Sequence, residues 1–264
     1  MAITGIEYTV FRFLREQNAL PLGVDLLELG EANWYGDVAL EAFQRDIGLF
    51  AREDDRASLT QWLEDVIRQL RTPPDTAQRT AYMFALPKVW YRTLFHAQSI
   101  VSIDLGGTSQ ALRLDLNQPI DLGRRFGVVL NIGTAEHVFN QFQVFKTIHD
   151  HALAGGLMVH VLPFSGWIDH GFYNFQPTFF WDLAAANRYE VVLMLCGEIT
   201  PLKLTQLHNR EGIIELAGKQ AIGQNTNLLV ALRKPHDDAF VVPMQGYYSQ
   251  QLSAKSAAAW KNMR

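Results

Sequence analysis

The chain has 264 residues, 48% hydrophobic and 19% charged, with a net charge of −4; it can bury one substantial core and is not disordered. No run of Lys or Arg stands out, which argues against nucleic acid as a partner, because phosphate binding normally leaves a basic stripe. No apolar stretch approaches the roughly 18 residues of a membrane span, and Glu7, Arg12, Arg15 and Glu16 interrupt the N-terminal segment, so no membrane association and a cytoplasmic location are expected.

Residues 4 to 18 predict a helix with Ile6, Val10, Phe11, Phe13 and Leu14 on a broad apolar side. Pro21 and Gly23 punctuate, and Val24–Gly30 reads as the first strand, ending in Glu28, Leu29 and Gly30. Glu31 to Asp37 is the expected loop from strand to helix. A glycine just after a strand lets a cofactor approach the backbone, although a plain turn has the same appearance. Further on, Ser58 and Gln61 have the form of a capping box. Leu59, Trp62, Leu63, Val66, Ile67 and Leu70 follow at helical spacing until Pro73-Pro74. A second helix over Thr76 to Phe95 is expected to kink or split at Pro87, with Trp90, Tyr91 and Phe95 as core, lid or dimer contacts, core foremost. A connection of this length between strands is unusual. It reads as a helical insertion, at about 37–98, lying over the cleft.

Short apolar runs then follow at Ile100–Asp104, Ala111–Asp115 and Phe126–Asn131. A helix from Thr134 to about Ala152 is expected to bury Val138, Phe142, Phe145 and Ile148 and to expose Asn140, Gln141, Gln143 and Lys146, stopping at Gly155-Gly156. Leu157–Leu162 is the next strand, and a polar, aromatic loop runs from Pro163 to Pro177. A helix over Thr178–Ala186, strands at Tyr189–Cys196 and Asn227–Arg233, and a terminal helix after Pro243 complete the chain. Apolar runs separated by turns or helices predict parallel strands covered on both faces. The expected class is therefore α/β, doubly wound and mostly parallel, in a single domain spanning 1–264. In such sheets the cleft lies at the carboxyl ends of the strands, where Asp104, Asp115, Asn131 and Pro163 fall.

With these pieces in place, the chain resembles the class I S-adenosylmethionine-dependent methyltransferases over about Val24–Gly30 and Ile100–Arg233. Glu28-Leu29-Gly30 matches the family's acid-x-Gly turn after the first strand. Asp104 matches the acid that holds the ribose hydroxyls, and Asp115, with Leu116 beside it, the acid that reaches the adenine amine. The segment from Asn131 to Val138 looks like the family's Glu-His-Val helix start, and Leu153–Leu157 like its L-x-G-G-x-L approach to the fifth strand. The resemblance implies a seven-stranded Rossmann-like methyltransferase sheet. It also implies an S-adenosyl-L-methionine cofactor held by Glu28, Gly30, Asn33, Asp104, Leu105, Asp115, Leu116, Asn131, Ile132 and Gly133. The implied reaction is methyl transfer to an oxygen or nitrogen of a small molecule, such as a natural product or sugar-like metabolite.

One departure stands out. The family's loop is G-x-G-x-G, but here Ala32 and Trp34 occupy the two positions after Gly30. Trp34 is too large for close approach, so the loop must run differently or the cofactor must sit differently. This keeps open an alternative: a non-catalytic scaffold or dimer partner that has lost cofactor binding. A nicotinamide site, by contrast, wants G-x-G-x-x-G leading straight into a helix with an acid about 20 residues on. Asp104 lies far beyond that distance from Gly30.

Methyl transfer from a sulfonium needs alignment, exclusion of water and removal of a proton from the acceptor. His137, next to Glu136, and His170, in the aromatic loop with Tyr173, are the candidate bases and acceptor contacts. A neighbouring carboxylate would raise the pKa of His137 and a helix N-terminus would lower it; a capping or core-facing histidine is the competing explanation. Trp34, Tyr35, Trp167 or Phe172 could flank the cation. His149-Asp150-His151 is a poor metal pair, since residues two apart on a helix point to different sides. No metal is expected. His160 and the single cysteine, Cys196, read as interior strand residues, and a homodimer is compatible with the surface.

Overall fold

The computed structural model describes residues 2–71, 76–249 and 251–262, so the Pro73-Pro74 stop lies outside the described residues. After strand β1 (Ala2–Ile3), helix α1 (Gly5–Glu16) starts at a reciprocal cap. Thr4 Oγ1 accepts from the Ile6 N–H at 3.2 Å, and Glu7 Oε2 accepts from the Thr4 N–H at 2.7 Å. Ile6, Val10, Phe11 and Leu14 are buried, but Phe13 is half exposed. Strand β2 (Leu26–Leu29) is buried on both faces, and β3 (Asn33–Trp34) pairs with β1 in parallel. That pairing turns the Trp34 ring into the core, stacked on Phe43 and edge-on to Tyr8 and Trp90. The tryptophan therefore leaves the cleft free, and it cannot flank a cation there.

Helices α2 (Leu40–Phe50), α3 (Glu53–Arg71) and α4 (Thr76–Leu94) fill the connection to β4 (Ile100–Ile103). The Ser58–Gln61 pair is not a cap: α3 begins at Glu53, where three acids in the first turn favour the positive end of the helix dipole. Ser58 sits inside it and donates to the Asp55 carbonyl at 2.8 Å. Helix α4 also runs through Pro87 unbroken. The flanking Leu86, Val89, Trp90 and Tyr91 are fully buried. At about 1.5–3 kcal/mol per buried side chain, they outweigh the roughly 3 kcal/mol cost of an interior proline.

Strand β5 (Phe126–Ile132) precedes a single 3-10 turn at Ala135–His137 and then helix α5 (Gln141–His151). The expected helix start at Thr134 is displaced because Asn140 is the cap, its side chain accepting from the Gln143 N–H at 3.3 Å. The register shifts with it: Gln143 is buried and Phe142 is half exposed. The chain continues through β6 (Ala152–Ser165), α6 (Pro177–Asn187) and β7 (Glu190–Glu198). Strand β8 (Lys203–Gln206) and helix α7 (Arg210–Gly218) come next. Strand β9 (Thr226–Arg233), α8 (Gly246–Ser249) and α9 (Ala254–Asn262) complete it.

The main sheet has seven strands in the order β4-β2-β5-β6-β9-β7-β8. The first four are mutually parallel, and β9 runs antiparallel between β6 and β7. Helices cover both faces. Phe11, Phe43, Leu63 and Trp90 pack with Val128 and Val159 on one side. Val144, Ile148, Phe180 and Leu183 pack with Val129 and Met158 on the other. The expected strand at Ala111–Asp115 is reduced to one parallel bridge, Leu112 with Ile103. Arg113 and Leu114 are exposed there, outside the edge strand β4. Strand order reverses at β2, whose chain goes outward to β4 and returns to β5 on the other side. This opens a crevice between the carboxyl ends of β2 and β5. Among the described residues no helix is long and apolar enough to cross a membrane.

Candidate functional site

The crevice at this switch point has a volume of about 300 Å³ and is lined by Gly30, Asp104, Leu105, Asp115, Leu116 and Gly133 together with Thr134, His137 and Val138. Gly30, with φ of 83°, turns the backbone back at the end of β2, a conformation that side chains resist. Asp104 caps the end of β4 and shapes two turns at once. Its Oδ2 accepts from Glu31 N–H at 2.7 Å and its Oδ1 from Gly106 N–H at 2.6 Å. Asp115 is exposed, and accepts from the Asn117 backbone and side chain at 2.9 and 2.8 Å; these bonds hold its carboxyl below the usual carboxylate range. Beside these acids Leu105 is largely exposed and Leu114 about one-third exposed.

Four of the expected cofactor residues lie outside this lining: Glu28, Asn33, Asn131 and Ile132. Glu28 is wholly buried in the sheet, ion-paired with Lys88 and accepting from Ser102 Oγ at 2.6 Å. Its other oxygen accepts from the Ala32 N–H at 3.3 Å, so it supports the turn from below. Asn131 is equally buried. Its Oδ1 accepts from the Ala135 N–H at 3.1 Å, and its amide meets His160 Nδ1 at 3.2 Å. Asn33 belongs to the small β1–β3 sheet, and the Ile132 side chain is in the core. Glu31 was not anticipated: it accepts from the Thr108 N–H at 2.6 Å and so ties down the loop after β4.

At the edge of the crevice, the 3-10 turn and the loop after β6 meet. The His137 and His170 rings are 5.1 Å apart, and their Nε2 atoms lie 3.8 and 3.7 Å from the same oxygen, Glu136 Oε1. The Phe172 N–H donates to the Glu136 carbonyl at 2.8 Å. Gly171 permits this approach, since a Cβ there would stand 2.9 Å from that carbonyl oxygen and 3.2 Å from His137 Nδ1. Burial raises the Glu136 carboxyl to about 7. The pKa of His137 is lowered, first by burial and then by the charge of His170, so the neighbouring carboxylate does not dominate it. Tyr173 stands apart from the histidines: its hydroxyl donates to the Phe139 carbonyl at 2.9 Å. The two histidines of His149-Asp150-His151 are buried on separate partners. His149 meets the Tyr189 hydroxyl at 2.5 Å and the Asp238 carbonyl at 2.7 Å, and His151 meets the Thr147 carbonyl at 2.7 Å.

No family model and no curated protein matches the chain. Among solved structures it is similar to StiE O-MT residues 961–1257, at 12% identity over 89% of this chain and 76% of that one, with a TM-score of 0.37. It overlaps the glycopeptide N-methyltransferase MtfA at 14% identity over 89% of this chain and 94% of that one, with a TM-score of 0.32. A third overlap is with an O-methyltransferase from a trans-AT PKS multienzyme of Brevibacillus brevis in complex with S-adenosyl-L-homocysteine. Identity there is 12% over 83% of this chain and 69% of that one, with a TM-score of 0.36. Overlaps at these values assign neither fold nor activity; the strand order and the crevice stand on their own.

On its own geometry the crevice suits a nucleoside. Two carboxylates offer acceptors for hydroxyl or amine hydrogens, and Leu105, Leu114 and Leu116 offer apolar surface for a base. A larger cavity of about 560 Å³ lies between α5, α6 and the segment around Phe240, but it contains none of the residues anticipated from the sequence. Its lining includes Phe142, Phe145 and Phe179 and no glycine.

Proposed function

We propose that this chain binds S-adenosyl-L-methionine in the crevice between β2 and β5 and methylates an oxygen or nitrogen of a small molecule. The observation that carries the reading is the convergence of Asp104 and Asp115 with the Gly30 and Gly133 turns at the point where strand order reverses. The bound cofactor would supply an activated methyl group on a positively charged sulfur. In this reading Asp104 accepts from the ribose hydroxyls, Asp115 from the adenine amine, and Leu105 and Leu116 cover the base. His137 lines the crevice and His170 adjoins it, so the pair takes the proton from the acceptor. Tyr173 acts at one remove, by fixing the Phe139 backbone. The exposed Phe139 and Phe172 rings, in edge contact at 6.0 Å, offer an apolar wall to the acceptor. Helices α2 to α4 are read as an insertion in one methyltransferase-like domain.

One feature favours this donor over a dinucleotide. After the Gly30 turn the chain enters β3 rather than a helix, and the next helix begins only at Leu40. A pyrophosphate would therefore lack the helix N-terminus that normally receives it there. Calorimetric titration tests the choice. Saturable one-to-one binding of S-adenosyl-L-methionine, with none of NADH, is the expected result. Heat from NADH alone would support a nicotinamide enzyme, and no heat from either at millimolar ligand would support a scaffold.

A further inference from the structure

Methyl transfer needs no buried acid at the crevice edge, yet Glu136 is one. It is 1% exposed; its Oε2 has no hydrogen-bond partner among the described residues, and its Oε1 faces two imidazoles. A carboxylate taken out of water without donors is costly. One oxygen of Glu136 and one nitrogen each of His137 and His170 lie within 4.8 Å of one another. We propose that Glu136, His137 and His170 bind one divalent first-row transition-metal ion of the zinc or cobalt type.

The donor set decides the class of ion. Two imidazoles with one carboxylate suit zinc and its first-row neighbours, whereas magnesium and calcium prefer oxygen throughout. Bonds of about 2.0–2.2 Å from such an ion leave ligand atoms roughly 3.3–3.6 Å apart. The two carboxylate–imidazole separations of 3.8 and 3.7 Å need a contraction of a few tenths of an ångström, and the two imidazole nitrogens close from within 4.8 Å of each other. Both imidazoles are partly exposed, 48% and 40%, and have room to turn, while Glu136 is held from behind by the Phe172 N–H. Three protein ligands leave coordination positions open, as in metal sites that handle a substrate. The ligands come from the turn after β5 and the loop after β6, which adjoin only in the fold. The sequence expectation of no metal, which weighed the helical pair His149 and His151 and the lack of a CxxC pair, did not reach this cluster.

The site rests on its own geometry and not on donor binding; with the ion bound, His137 and His170 are its ligands and do not themselves take the acceptor's proton, and the test reads the metal alone. Metal-stripped full-length protein is titrated with zinc chloride by calorimetry and, separately, with cobalt(II) followed by visible absorption. The wild type is expected to take up one ion per chain, with the absorption of a nitrogen- and oxygen-ligated cobalt. His170→Ala, on an exposed loop and expected to fold, should lose at least tenfold in affinity, as should Glu136→Gln; His208→Ala should bind as the wild type does. Absence of saturable one-to-one uptake by the wild type overturns the proposal. Equal affinity in His170→Ala, meaning an ion held elsewhere, overturns it too. Protein that binds S-adenosyl-L-methionine but no zinc refutes the metal site alone, and the converse result refutes the donor reading alone.

Discussion

Lys88, on α4, reaches across to the carboxylate of Glu28, which is wholly buried at the centre of the sheet. The ammonium also donates to Ser102 Oγ at 3.1 Å and lies 3.7 Å from Glu31 Oε1. The helical segment before β4 thus supplies the only cation among the described residues seen paired with the two acids that support the Gly30 turn and the loop after β4. Removing it strands a charge inside the protein. Lys88→Met should cost about 3–5 kcal/mol, the range for breaking one side of a buried ion pair. Urea denaturation checks this as a fall in midpoint at constant slope. The double variant Glu28→Gln with Lys88→Met should recover much of the loss; no recovery would mean that Lys88 acts through packing.

Stability toward acid carries a second signature. Burial lowers His160 from 6.5 to about 3 and His149 from 6.5 to about 4. The unfolded chain therefore takes up these protons first as pH falls. Their contribution is complete above pH 6.5 and is lost progressively as pH falls, down to about 4 for His149 and about 3 for His160. The raised carboxyls of Glu7, Asp46 and Glu136 work in the opposite sense, so the informative quantity is a difference. His160→Gln should be less stable than the wild type at pH 7, and the gap should narrow as pH falls to 4. A gap independent of pH would mean that His160 is not held neutral.

Much of the fold was legible because the central strands are continuous apolar runs. Phe126–Asn131 and Leu157–Leu162 read as strands buried on both faces, and they lie in β5 and β6, buried there. The Ala111–Asp115 run has the same local appearance, but Leu112 finds only the edge of β4 to pair with, and no periodicity reports that. Helix α5 was misplaced because Gly133 and Thr134 resemble a start; Asn140, three residues before Gln143, was the true capping signal. Strand β8 and helix α7 went unseen because residues 199–225 lack a sustained apolar pattern. In the candidate site, Gly30, Asp104, Leu105, Asp115, Leu116, Gly133 and His137 gather in one crevice. Glu28 and Asn131 point into the sheet instead, where their partners Lys88 and His160 come from distant segments. The same distance hid the approach of His170 to Glu136, which only the loop after β6 brings about.

The central claim is that Asp104 holds a nucleoside at the end of β4. It is tested by titrating S-adenosyl-L-methionine into the wild type and Asp104→Asn under the same conditions. Asparagine loses the charge and keeps one oxygen, which can accept from only one of the two turn N–H groups, and hydrogen bonds to a charged group are worth about 1.5–3 kcal/mol. Affinity should fall by roughly 10- to 150-fold at a temperature where thermal melts show both proteins folded. Equal affinity in the two proteins would contradict the account.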